Sequence, residues 1–317
     1  MTTSTEQPRQ LQRGRIPDFF VVGQHKSGTT ALYEMLRRHP QIFMPDVKEP
    51  RFFASDLRPL MGSDAGLPDT FEDYAALFEP AAEGQRVGEA SPSYLRSRVA
   101  AALIAEANPD ARIIAILRDP ATLVRSLHLQ LLKEHVETET DLRKAVAFEQ
   151  AIRGGVAVRR YSDHVKYVEQ LRRYDTTFPA EQLLVLIYDD FRLDNAATIR
   201  TVLRFLDVDS NAATISFEAN PSVRLRSRRL DGLLRALYAG DSRSARVATA
   251  MLRTLLPKRL RGEPLAAMRR RVLYGRPAEA DEDVMRELRV RFKGEVVALS
   301  EYLGRDLVNE WGYDRVE

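Results

Sequence analysis

The sequence predicts an α/β fold: a single domain with a mainly parallel central sheet flanked by helices, continued by a helical C-terminal region. Three observations predict it. Apolar runs of strand length alternate with helical patterns from Asp18 to Asp207, as in a sheet covered on both faces. The chain has 317 residues, 44% of them apolar, and no internal repeat, which is enough for one large core. In the last hundred residues, Leu230, Leu233, Leu234 and Leu237 fall at i, i+3, i+4 and i+7, a stripe of helical period.

In chain order, "DFFVVG" (18–23) reads as a buried strand and "TTALYEMLRRHP" (29–40) as a helix stopped by Pro40. The stretch 41–69 holds four of the 16 prolines and reads as a long structured loop without long helices. A short helix follows at 71–80, then a second strand, "QRVGEAS" (85–91), ending in the turn "SPSY". A helix closes at Asn108-Pro109, and "RIIAIL" (112–117) is a continuous apolar strand. Helical patterns return at 120–134, 141–152 and 162–174. They are followed by a strand at "QLLVLIYDDF" (182–191) and a helix at 195–207.

Composition excludes several chemistries. There is no cysteine, so disulfides, thiolate metal sites and cysteine nucleophiles are out. Residues 1–15 are polar, lack an apolar signal core and read as a disordered N-terminal tail ahead of a domain spanning 16–317. No apolar run approaches the roughly 18–20 residues that span a bilayer. The expected location is the cytoplasm, with peripheral membrane contact left open. The formal charge of +3 hides a basic segment: residues 222–273 carry 14 Lys/Arg against 3 Asp/Glu. Such a segment is either a solvated face or a wall facing an anion. Its one aromatic is Tyr238, too few for the interleaved stacking of nucleic-acid binding. None of the five histidines pairs at metal-ligand spacing, so no metal is expected. His39 and His164 read as surface residues and His25 as a loop residue turned away from the ligand. His128 and His135 are placed where they would line an acceptor cleft.

Chemistry concentrates at "VVGQHKSGTT" (21–30). An apolar strand, a loop containing Lys26, two threonines and an immediate helix start make an anion site from backbone N–H groups, hydroxyls and an ammonium. In a nucleotide kinase or NTPase the lysine follows the last glycine, and an acidic residue at a later strand end holds magnesium. Here Lys26 precedes Gly28, and the strand "RIIAILRD" ends in Arg118, with Asp119 one step beyond. A cation at that position suits a second phosphate on the ligand.

The chain resembles the sulfotransferases that use 3′-phosphoadenosine-5′-phosphosulfate (PAPS). The likeness rests on "KSGTT", "KEPRFF", "GEASPSYL", "RDPATLVRS" and "NPSVRLRS", in order from about Asp18 to Arg229. It implies a P-loop-NTPase-like sulfotransferase fold and sulfuryl transfer to a hydroxyl of a carbohydrate, glycolipid or secondary metabolite. The expected product is 3′,5′-adenosine bisphosphate, and no metal is used. By this resemblance Lys26 neutralises the leaving oxygen, and Ser27, Gly28, Thr29 and Thr30 present donors to the 5′-phosphate. Arg118 and Ser126 bind the 3′-phosphate, and Arg226 with Ser227 (or Arg224) close over it from a late loop.

The base distinguishes two branches of the family. The cytosolic small-molecule branch uses a His on the strand after the loop, and "RVGEASP" has none. The heparan-sulfate branch uses a Glu in an E-x-x-F-F segment, which points to Glu49, with Glu89 in reserve. That branch often has His, an acid and a lysine where Arg51, Ala54 and Ala90 stand here, so the departures bear on the acceptor. The competing reading is a kinase or NTPase using magnesium and ATP. A nucleotide-binding protein without catalysis is a further one. Neither the acceptor nor the oligomeric state is legible in the sequence.

Overall fold

The computed structural model describes residues 15–58, 66–134, 136–151, 161–210, 224–225, 274–275 and 281–317. Its centre is a five-stranded sheet formed by β1 (Phe19–Gly23), β2 (Ile42–Phe43), β3 (Arg86–Ala90), β4 (Arg112–Leu117) and β5 (Leu183–Ile187). The strand order is β2-β3-β1-β4-β5, and every pairing is parallel. Because β1 lies between β3 and β4, the loops leaving those three strands open side by side at one sheet edge, the position where open α/β sheets bind ligands.

Alternation along the strands divides the core. Phe20, Val22, Ile113 and Ala115 pack on one face, and Phe19, Val21, Ile114 and Ile116 on the other. The second face is covered by α1 (Thr29–Arg37) and a helix at Asn195–Phe205, through Leu32, Leu36, Ile199 and Val202. The first is covered by helices at Ala100–Ala107, Pro120–Lys133 and Tyr167–Asp175, and by a long C-terminal helix, Glu282–Leu303. In chain order these become α2 (Phe71–Ala76), α3 (Ala100–Ala107), α4 (Pro120–Lys133), α5 (Leu142–Ala151), α6 (Tyr167–Asp175), α7 (Tyr188–Leu193), α8 (Asn195–Phe205), α9 (Glu282–Leu303) and α10 (Leu307–Glu310).

Helix ends follow local chemistry. Asp119 caps α4 by accepting from the N–H groups of Ala121 (3.2 Å) and Thr122 (3.1 Å). Pro120 sits at the first helical position, where its missing N–H costs nothing. Asp281 caps α9, and Gly304, at φ 62°, ends it. The C-terminal residues lock onto the sheet's ligand edge: Tyr313 donates to Asp119 (2.7 Å) and Trp311 to Asp189 (3.1 Å), while Arg305 pairs with Asp190.

Several expectations need correction. The apolar run 182–191 is not one strand: β5 ends at Ile187 and α7 begins at Tyr188, with Asp189 and Asp190 favouring its N-terminal turn. The pattern at 162–174 divides into a 3₁₀ turn at Tyr161–His164 and α6. The long loop contains β2, whose two residues are too short to show a period. Residues 224–225 and 274–275 form an antiparallel strand pair, so the helical reading does not hold at that point of the late region. The remainder of 222–273, with its leucine stripe and with Arg226 and Ser227, lies outside the described residues, as do residues 1–14 and His135. Arg15 donates to the carbonyls of Ala81 and Gln85 (2.7 and 2.8 Å). Among the described residues, no helix is long and apolar enough to cross a membrane.

Candidate active site

The loop between β1 and α1 is held in an unusual shape by its own residues. Gly28 takes φ 88°, the left-handed region. A Cβ there would lie 3.1 Å from the Tyr188 ring and 3.2 Å from Phe191. Only glycine meets both demands without strain. Lys26 is itself left-handed, at φ 64°, a cost that persists only where the surroundings enforce it. Ser27 and Thr29 are buried, and Thr30 is exposed. Gln24 ties the loop down from below, donating to the His164 carbonyl (2.7 Å) and accepting from the His25 N–H (2.7 Å).

Arg118, at the end of β4, reaches under this loop. Its guanidinium donates to the Lys26 carbonyl (2.8 Å) and to Thr122 Oγ1 (3.1 Å), and lies over the Tyr188 ring at 4.7 Å. Tyr167 donates its hydroxyl to the Arg118 carbonyl (2.7 Å). Neither Lys26 nor Arg118 has a carboxylate partner among the described residues. Burial, and then the neighbouring Arg118, push the Lys26 ammonium below its ordinary value. Two partly desolvated cations without a counter-ion favour a bound anion. Ser126 is buried on α4, two turns beyond Arg118.

The segment 48–53 lies across the end of β3. Its backbone is pinned there by Glu49 N–H to the Ala90 carbonyl (3.2 Å), Arg51 N–H to Ser91 Oγ (3.0 Å) and Phe53 N–H to the Tyr94 hydroxyl (3.2 Å). Phe52 stacks on Tyr74 at 4.7 Å, and Phe53 is buried against Phe20. Glu49 and Arg51 are both left-handed, at φ 59° and 56°. With Lys26, they are three of the four non-glycine residues of positive φ among the described ones, so backbone strain gathers at this site. The Glu49 carboxylate accepts from Lys48 on one oxygen (2.7 Å) and from Arg51 on the other (3.1 Å). Burial pushes its carboxyl up, but His25, Lys48 and Arg51 together overcome this and hold it down at about 2.

Glu89 is placed differently. Its side chain is fully buried and accepts from Tyr74 (2.7 Å) and Tyr94 (3.0 Å) on one oxygen. Burial raises its carboxyl to about 7. Ala54 and Ala90 are buried among apolar side chains.

The histidines differ most from expectation. His164 is buried, not on the surface, because the 3₁₀ turn presses it against the loop below Gln24. His39 is also buried, with Nε2 2.9 Å from the Asp209 carbonyl. His128 is bonded to the Tyr161 hydroxyl (2.9 Å) inside the core, not free to line a cleft. The His25 ring lies 6.1 Å from that of His164, and burial lowers its imidazole to about 4 against the opposing charge of Glu49. Sequence reasoning missed Tyr188 and Gln24. Tyr188 sits at a strand end inside an apolar run, and Gln24 is an uncharged residue in a loop dominated by Lys26. Neither carried a signal of its own.

Residues 17–212 match the profile of the sulfotransferase family. The crystal structure of a sulfotransferase from Alicyclobacillus acidocaldarius superimposes with a TM-score of 0.58 at 30% identity, covering 72% of this chain and 93% of that one. Human heparan sulfate glucosamine 3-O-sulfotransferase 3B1 is 28% identical over 193 residues, 61% of this chain and 46% of that protein. Human carbohydrate sulfotransferase 15 is 24% identical over 246 residues, 61% of this chain and 44% of that protein. The chain thus spans less than half the length of these two curated relatives. A profile match over more than half of its residues, joined to the parallel sheet and the loop described above, shows that the chain belongs to the sulfotransferase family.

Proposed function

We propose that the chain is a PAPS-dependent O-sulfotransferase acting on a hydroxyl of a carbohydrate or a related small molecule. The observation that carries this reading is the pair of cations, Lys26 in the loop and Arg118 reaching it from the end of β4, without a carboxylate partner among the described residues. A donor with phosphate at both the 5′ and the 3′ position fits such a pair. When bound, it supplies an activated sulfuryl group on a phosphate leaving group.

The chain's own residues then divide the work. Lys26 and the N–H groups of residues 27–30 hold the 5′ end and stabilise the charge that grows on the leaving oxygen. Arg118, braced by Tyr188 and Thr122, takes the 3′-phosphate together with Ser126. Arg226 and Ser227 complete this grip from the late loop. Glu49 is the base that receives the acceptor's proton. It lies on the segment pinned to β3, whereas Glu89 is enclosed by two tyrosines and cannot meet an acceptor. A single domain from 16 to 317 accommodates all of these parts.

The acidic residue that a magnesium-dependent kinase would need is engaged elsewhere. Asp119 caps α4 and accepts from Tyr313, which weighs against the magnesium–ATP alternative. The heparan-sulfate and carbohydrate relatives favour a sugar hydroxyl as acceptor. The reading is tested by incubating the protein with ³⁵S-labelled PAPS and a panel of oligosaccharides and phenolic metabolites. Label transferred to an acceptor without added metal is expected. Transfer of label to none of them, together with magnesium-dependent ATP turnover, would overturn it.

A further inference from the structure

We propose that Tyr313 and Trp311 are positioning residues of the donor site: they hold Arg118, and the ring beneath it, in the orientation that takes the 3′-phosphate. This inference rests on the donor reading given above. Both residues lie beyond residues 17–212, the stretch that matches the family profile. Among the described residues no carboxylate fixes the Arg118 guanidinium. Its direction therefore depends on the neutral groups that brace it, and on what holds those groups in turn.

A short chain of hydrogen bonds leads from Arg118 to Tyr313. Arg118 Nε donates to Thr122 Oγ1 (3.1 Å), which donates to the Asp119 carbonyl (3.1 Å). The Asp119 carboxylate accepts from the N–H groups of Ala121 (3.2 Å) and Thr122 (3.1 Å), so it shapes the turn that carries both Arg118 and Thr122. A further donor reaches that carboxylate from outside the turn: the Tyr313 hydroxyl, 2.7 Å from Oδ1. The same hydroxyl accepts from the Ala121 N–H (3.3 Å). Asp119 and Tyr313 are both buried. Burial, and then the Asp119 charge, push the phenol up, so it stays a donor across the ordinary pH range. Removing one donor from a buried carboxylate costs more than the bond itself, and the turn shifts to recover it.

The ring under Arg118 is held by the same C-terminal segment. Tyr188, whose ring lies 4.7 Å from the guanidinium, is followed by Asp189 and Asp190. Trp311 Nε1 donates to Asp189 Oδ2 (3.1 Å), and Arg305 donates to Asp190 Oδ1 (2.9 Å). The turn between Trp311 and Tyr313 lets them reach two different strand ends. Gly312 is left-handed, at φ 72°. Its N–H donates to the Asn309 carbonyl (3.0 Å), and that of Tyr313 to the Val308 carbonyl (2.8 Å). This is the bonding of a glycine-closed helix end, and it sets the direction in which the chain leaves α10. The indole and phenol donors therefore clasp the β4–α4 and β5–α7 connections at once, the two that carry Arg118 and Tyr188. By linkage, a ligand that orders Arg118 also stabilises the clasp.

The test compares wild type, Tyr313→Phe and Trp311→Phe for their Kd toward 3′,5′-adenosine bisphosphate and toward adenosine 5′-monophosphate, which lacks the 3′-phosphate. Urea unfolding confirms that each variant is folded under the assay conditions. Tyr313→Phe should weaken the bisphosphate by about three- to tenfold and leave the monophosphate within about twofold of wild type. Trp311→Phe should show the same selective loss, and it replaces Tyr313→Phe in both arms if that variant does not fold. Given a wild-type preference for the bisphosphate, a merely structural role would weaken both ligands equally or neither, and either result would overturn the proposal. A ligand-free arm separates this inference from the donor reading. In the full chain labelled with ¹⁵N-arginine, the Arg118 Nε–H signal is assigned with Arg118→Lys. It is expected to exchange at least about threefold faster in Tyr313→Phe than in wild type. Unchanged exchange would overturn the proposal whatever the ligands do. Equal binding of the two nucleotides by wild type, with the faster exchange present, would instead count against the donor reading alone.

Discussion

The two sides of the loop between β1 and α1 are built on opposite electrostatic plans. On one side Lys26 and Arg118 lie together with no carboxylate partner among the described residues, Arg118 braced by the Lys26 carbonyl, the Thr122 hydroxyl and the Tyr188 ring. On the other side Glu49 is held by Lys48 and Arg51. The first side favours an external anion. On the second, the carboxylate already has its cationic partners. The difference teaches which substitutions should affect binding and which should affect turnover.

The largest effect is expected where the two sides meet. Lys26→Ala should lower kcat by about 10²–10³ or more, because it removes a charge aimed at the leaving oxygen. A steady-state assay with labelled donor checks this, and a loss confined to KM would move Lys26 out of the transition state. Glu49→Gln should slow turnover by about 10²–10⁴ while keeping bisphosphate affinity near that of wild type. Arg118→Ala should do the reverse, weakening the bisphosphate by about 2–5 kcal/mol, roughly 30-fold or more in Kd. Equal Kd values for wild type and Arg118→Ala would erase the division between the two sides.

Glu89 provides a comparison within the carboxylates. Its folded value, about 7, lies above that of an unfolded chain. Its contribution to stability is therefore fully present below about pH 4.5 and is lost as pH rises toward 7. Glu89→Gln should remove this loss, so the variant gains on wild type between pH 5 and 8 in urea unfolding. Glu49, held at about 2, has the opposite sign: its stabilisation is present above about pH 4.5 and is lost as pH falls toward 2. The smallest effect is expected at Tyr188. Tyr188→Phe should preserve bisphosphate binding, and Tyr188→Ala should weaken it by about 0.5–2 kcal/mol through loss of the ring beneath Arg118.

Much of this was legible in the chain because local rules determine it. The continuous apolar runs at β1 and β4 can only be buried parallel strands. A lysine and hydroxyls before a helix start point to a candidate anion site, and Arg118 follows directly from the end of β4. What was not legible depends on tertiary contact. Whether His25 and His164 faced solvent or each other was decided by Gln24 and a 3₁₀ turn 140 residues away. Glu49 and Glu89 read alike as loop or strand-end acids. Only packing shows that one is pinned among cations and the other sealed beneath Tyr74 and Tyr94. The break between β5 and α7 was hidden because Tyr188 and Phe191 continue an apolar pattern while the backbone changes period.

The central claim, that the cation side of the loop receives a nucleotide bearing phosphate at both ends, is tested most directly by calorimetry. The purified protein would be titrated with 3′,5′-adenosine bisphosphate, and in parallel with ATP plus magnesium. Tight, metal-independent binding of the bisphosphate, lost in Arg118→Ala, is the predicted result. Preference for magnesium–ATP, or bisphosphate binding unaffected by that substitution, would contradict it.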